Sequence, residues 1–152
     1  MNTNITKNWT ITISEKEVFA RCTNETLYRA YNRSSENPKG DAIVIQEDDM
    51  SVFKIYYAHA IANLQMLLAR RMSEPYCCSY YTDDVVFTLE MHDNHDDNIL
   101  PILINHCYEY VVRQILEQWF REDFGSQIEK LEINHCLHYR KNPVSRRIGP
   151  LF

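Results

Sequence analysis

His92, Asp93, His95, Asp96 and Asp97 place imidazoles and carboxylates within a few positions of one another, and these are suitable ligands for a divalent cation. The stretch also stands where a strand gives way to a helix, and aspartates at such junctions serve as turn formers and helix caps. No second ligand cluster at metal-site spacing accompanies it, so capping is the stronger reading and no metal site is expected. A second pattern is a repeat: INHCYEY at 104–110 returns as INHCLHY at 133–139, which reads on paper as a split ligand set of His106, Cys107, His135 and Cys136. Adjacent helical positions point about 100° apart, which makes His–Cys neighbours poor joint ligands of one tetrahedral ion. Cys107 falls on an apolar stripe and reads as a small buried residue. A nucleophilic cysteine needs positive charge to hold its thiolate and a base beside it, whereas Cys77 and Cys78 stand among tyrosines and acids. With no glycine-rich phosphate loop and no nucleophile elbow, the chain is expected to be no enzyme, with no cofactor and no small-molecule substrate.

The elements that would position these residues are mostly helical. The chain has 152 residues, 45% of them hydrophobic, and so can bury a sizeable single core. Only 3 glycines and 5 prolines interrupt it, which favours long uninterrupted elements over a many-turned sandwich. Its start is polar, with neither a basic leader nor an apolar run, and its apolar stretches are too short to span a bilayer. The 5 cysteines have no framework spacing, and reduced thiols are expected.

Trp9, Ile11 and Ile13 alternate with Thr10 and Thr12, as a half-buried strand or an extended arm would. Ser14 then opens a helix, with Glu17 reaching back in a capping box, and Val18, Phe19, Cys22, Leu27 and Tyr31 are read as its buried stripe. Residues 34–40 (SSENPKG) read as a loop and 42–45 as a short strand. Asp48 and Asp49 cap a second helix, whose apolar residues from Phe53 to Met72 recur every three or four positions. Pro75 breaks the pattern. Val85, Phe87, Leu89 and Met91 then alternate with Val86, Thr88, Glu90 and His92 as a strand, and Asp96 or Asp97 caps a third helix that carries Pro101 in its first turn and runs to about Gly125. For 127–139 both periods fit, and helix is chosen. The expected fold is mainly α: a bundle of about four helices, a short β-strand or hairpin element, and extended N- and C-terminal arms. Residues 1–140 form one domain with its arm at 1–13, and 141–152 form a basic tail.

The charge layout is lopsided. Between Arg71 and Arg113 there is no Lys or Arg but there are 8 acids, among them Asp83, Asp84, Asp93, Asp96 and Asp97. After Glu132 the sign reverses, with Arg140, Lys141, Arg146 and Arg147 ahead of the apolar Leu151 and Phe152. A basic, proline-stiffened tail with an apolar end suits docking on a partner. An acidic surface on a neighbouring copy would complement it and set register. The net charge of −5 opposes general attraction to nucleic acid.

The order of parts, with VVFTLEM after a long helix, a third helix ending ILEQWF and the tail YRKNPVSRR, resembles the small neck proteins of tailed bacteriophages. These are the head–tail connector or adaptor class, in phages and prophages of Bacteroides-like bacteria. The resemblance implies a structural virion protein made in the host cytoplasm, and a homo-oligomeric ring between portal and tail proteins through which DNA passes without specific binding. Trp9 on the arm and the tail residues Arg140, Lys141, Arg146, Arg147, Leu151 and Phe152 would touch neighbours. A tail-completion protein of the same neck region is the near alternative. The distant one is a cytosolic regulatory domain that binds protein or nucleic acid through the basic tail.

Overall fold

Ser14 closes a strand and opens a helix within one residue. The computed structural model describes residues 5–33, 44–72 and 84–140. Strand β1 (Thr6–Ser14) runs straight into helix α1 (Glu15–Arg33). The Ser14 hydroxyl accepts from the Glu17 backbone N–H at 3.4 Å. Glu17 does not return the bond; its carboxylate takes Arg21 Nε at 3.0 Å along the helix, so half of the expected capping box forms.

Helix α2 (Met50–Leu68) follows a 3-10 turn at Glu47–Asp49, where Asp49 accepts from the Gln46 N–H at 3.0 Å. Strand β2 is Asp84–His92 and helix α3 is Leu100–Phe120. Asp96 caps the turn into α3 by accepting from the Asn98 N–H at 3.0 Å. Pro101 lies at the start of the helix, where its missing N–H costs nothing. Arg121 ends α3 in a left-handed conformation at φ 56°, earlier than Gly125, which itself has φ 83° and precedes helix α4 (Ser126–His138). The ambiguous segment is therefore a helix. The expected loop at 34–40, most of the expected strand at 42–45 and the break around Pro75 lie outside the described residues. Ile45, within them, is buried and outside any strand.

Among the described residues the fold is mainly α, four helices with a two-stranded antiparallel sheet. The strands pair Thr6 with His92 through Ser14 with Asp84, without a bulge. Trp9, Ile11 and Ile13 of β1 and Phe87, Leu89 and Met91 of β2 turn one face inward, all at 2% exposure or less. This alternation is what a sheet with one solvated face requires. Helix α3 is the hub, packing against α1, α2, α4 and β1. Its Leu103, Cys107, Val111 and Ile115 meet Phe53, Leu64 and Leu68 of α2 within one continuous core. Each such fully buried side chain contributes about 1.5–3 kcal/mol.

On α1 the buried row is Val18, Cys22, Thr26 and Ala30, while Leu27 and Tyr31, expected inside, are exposed. Thr26 is admitted because its hydroxyl is satisfied. It donates to the Cys22 carbonyl at 2.9 Å and accepts from the Ile45 N–H at 3.0 Å, and Thr23 donates to the Ile45 carbonyl at 3.0 Å. Two threonines thereby strap Ile45 to α1.

Candidate interaction surfaces

The histidine- and aspartate-bearing loop between β2 and α3 is held from several sides. Asp97 accepts from the Trp9 indole N–H at 3.0 Å and pairs with Lys7 Nζ at 2.9 Å. Trp9, expected to reach a neighbour from an arm, is instead a core residue of β1 at 2% exposure. Its large apolar ring is worth more buried under the sheet than projecting, and Asp97 satisfies its one donor. Asp96 caps the turn into α3 while Asp97 holds Trp9 and Lys7, so both aspartates that introduce α3 have structural partners. Asp93 and Asp84 are exposed at opposite ends of β2. Among the described residues no three His, Cys, Asp or Glu side chains are grouped as a metal site would need.

His95 is the buried member of this loop. It is 1% exposed, its ring meets Trp9 edge-on at 5.9 Å, and neither ring nitrogen has a well-formed hydrogen-bond partner among the described residues. Burial lowers its pKa below the ordinary histidine value, and Arg71, Arg140 and His92 push the same way, while the Tyr139 backbone opposes them. The imidazole is thus held neutral. The same neighbours show that the chain leaves α4, at Tyr139 and Arg140, alongside its own acidic loop. Arg140 is exposed; Asp83, Lys141, Arg146, Arg147, Leu151 and Phe152 lie outside the described residues.

The repeated INHC segments face each other across α3 and α4. His106 Nδ1 and Glu129 Oε2 are 2.6 Å apart, and Arg113 Nη2 approaches the other oxygen of the buried Glu129 at 3.5 Å. Cys107 and Cys136 sit in the same seam, near enough to raise the Cys107 pKa further, and burial dominates the rise for both thiols. Burial likewise pushes Cys22 up to about 12, with Glu25 and Glu109 adding to it. Thiols held in this way are poor nucleophiles and poor metal ligands.

Two polar devices of this region carried no signal in the sequence. Glu117 of α3 supplies the missing cap of α4, accepting from the Ser126 hydroxyl at 2.6 Å and from the Phe124 and Ser126 N–H groups at 3.0 and 3.1 Å. Arg29 reaches across from α1, pairing with Glu122 at 2.7 Å and lying over the rings of Phe120 at 4.4 Å and Phe124 at 5.0 Å. Beside it, a cleft of about 490 Å³ runs between α1 and α3. Glu109 divides that cleft between Arg21 at 3.4 Å and Arg113 at 3.6 Å, leaving it a neutral, cross-linked groove.

The outer faces are more apolar than the groove. Leu27, Tyr28 and Tyr31 on α1 are 54%, 68% and 78% exposed, and Ile128 and Leu131 on α4 are 60% and 67% exposed. No described helix is long and apolar enough to cross a membrane. Comparison with protein-family models, with curated proteins and with solved structures finds no match to this chain.

Proposed function

We propose that this chain is a structural subunit that works through protein–protein contacts in a homo-oligomeric assembly, and that the assembly is the neck of a tailed bacteriophage. The observation that carries the assembly reading is the outer face of α1, where Leu27, Tyr28 and Tyr31 stand exposed within one turn. Ile128 and Leu131 of α4 add a second apolar pair one turn apart. Grouped apolar side chains held in water mark contact sites, since a lone domain gains nothing from them. Charge adds direction. The basic segment that begins at Arg140 is opposite in sign to Asp93 and its acidic neighbours, and complementary signs steer association and fix register. The net charge of −5 keeps passing DNA from adhering. The placement in a phage neck, between portal and tail, comes from the resemblance of the sequence to connector proteins.

The test is the mass in solution, by light scattering, of the full chain and of a chain ending at Arg140, at low and high salt. A defined oligomer that truncation or salt weakens supports the reading. A monomer in every condition that binds DNA with a steep salt dependence replaces it with a regulatory, nucleic-acid-binding role.

A further inference from the structure

In a two-stranded sheet, every second residue of each strand turns its backbone N–H and C=O away from the partner strand. The bond from Asp93 N to Ile5 O, at 2.9 Å, shows that Ile5 faces β2. The unbroken register then assigns Lys7, Trp9, Ile11 and Ile13 to the inner side and Thr6, Asn8, Thr10, Thr12 and Ser14 to the outer one. Ser14 behaves as assigned, its N–H donating to the Tyr108 hydroxyl at 2.9 Å. The outward backbone groups of Thr6, Asn8, Thr10 and Thr12 have no partner among the described residues, and all four residues are exposed. The outer edge of β2 differs, since Met72 bridges to Leu89 there and Glu90 and Asp84 bring charge.

Free edges in natural sheets are guarded by lysines, prolines, bulges, short strands or a covering element. Among the described residues β1 has no proline, bulge or covering element along 6–12, and its one lysine is turned to partners within the chain. It is 9 residues long, unbulged and without proline. Its single charge, Lys7, is spent on Asp97 at 2.9 Å and on the His95 carbonyl. An edge left this open is built to be paired.

We propose that β1 pairs with β1 of a second copy, antiparallel about a two-fold axis, to make a continuous four-stranded sheet. The edge is suited to its own copy: Thr6, Asn8, Thr10 and Thr12 are uncharged, so identical edges meet without like-charge repulsion, and threonine pairs across strands are favourable. One register satisfies all four positions, with Thr6 opposite Thr12 and Asn8 opposite Thr10 in both directions, forming about eight backbone bonds at two per hydrogen-bonded pair. That register also brings Ile5, 60% exposed, opposite Ile13 of the second copy. The pairing stops at Ser14, where Tyr108 holds the N–H. A two-fold contact closes on itself and is the form of the free chain; a ring between unlike neighbours needs head-to-tail contacts on other faces. The inference rests on the assembly reading only in that both require contact between copies.

The experiment is sedimentation velocity over a wide concentration range on the full chain, on Thr10→Pro, and on the double variant Thr10→Lys, Thr12→Lys. Thr10 makes no backbone bond to β2, so proline there removes an outward donor and spares the sheet within the chain. The lysine pair leaves the backbone untouched and reads the interface if the proline variant fails to fold. The expected result is a dimer whose dissociation constant rises at least about a hundredfold in either variant, with unchanged far-ultraviolet circular dichroism. A dimer or larger oligomer that both edge variants preserve overturns the edge pairing and leaves the assembly reading standing. A monomer at every concentration overturns both.

Discussion

His95 shows how one side chain ties stability to pH. Its folded pKa lies below its unfolded value, because burial and the guanidiniums of Arg71 and Arg140 disfavour the charged ring. Above the unfolded value both states are neutral and nothing is lost. As pH falls through about 6.5 the unfolded chain takes a proton that the folded chain refuses, and stability declines until the folded value is reached. His95→Phe keeps an aromatic edge against Trp9 and removes the proton. Urea unfolding at pH 7.5 and 5.5 should show a smaller loss of stability for the variant than for the parent chain. An equal loss would place the titrating group elsewhere. In the sequence His95 looked like one of several ligand candidates. What separates it from His92 is burial beside groups far away in the chain, among them Trp9, Arg71 and Arg140.

At the scale of elements, the turn between α3 and α4 combines features of opposite cost. Gly125 adopts φ 83° freely, whereas Arg121 holds φ 56° with a side chain that penalises it. Arg121 is exposed, so Arg121→Gly should stabilise the chain by about 1 kcal/mol, visible as a higher urea midpoint at unchanged slope. Helices α2 and α3 and strand β2 were legible from apolar spacing, with Asp96 marking the entry to α3, whereas α4 fitted both periods and was a choice. The buried row of α1 was not, because it runs through Thr26, whose hydroxyl is satisfied by Cys22 and Ile45, while the apolar Leu27 and Tyr31 face outward. A rule that sorts residues by apolarity fails where a polar group finds its partners inside and an apolar one is kept for a surface. Glu117 was equally hidden, since a cap lent by a neighbouring helix leaves no local signature.

The molecule as a whole is one core around α3, and its thiols report on that core. Cys22, Cys107 and Cys136 are all buried in it, with pKa values raised chiefly by burial. Alkylation mapped by peptide mass should therefore proceed at all three together, at rates set by unfolding of the whole domain. Faster labelling of Cys136 alone would mean that α4 detaches separately. The two-stranded sheet was only half legible at this scale. Both strands alternate visibly, but nothing local says that Trp9 pairs with Leu89, because no turn joins them and two helices intervene. An N-terminal alternating segment without a nearby partner strand reads as an arm, and the expected contact role of Trp9 followed from that reading.

That long separation shapes how the chain comes to be folded. β1 leaves the ribosome well before β2, and it cannot be paired until the residues of β2 have followed α1 and α2 out. Contacts so distant along the chain are slow to close, and through that interval β1 is bare on both sides, with an alternating face of Trp9, Ile11 and Ile13 in water. Nascent chains on neighbouring ribosomes of one message carry the same unpaired segment at the same moment, so the period of synthesis is when strand-to-strand capture between copies, productive or aggregating, is most readily begun.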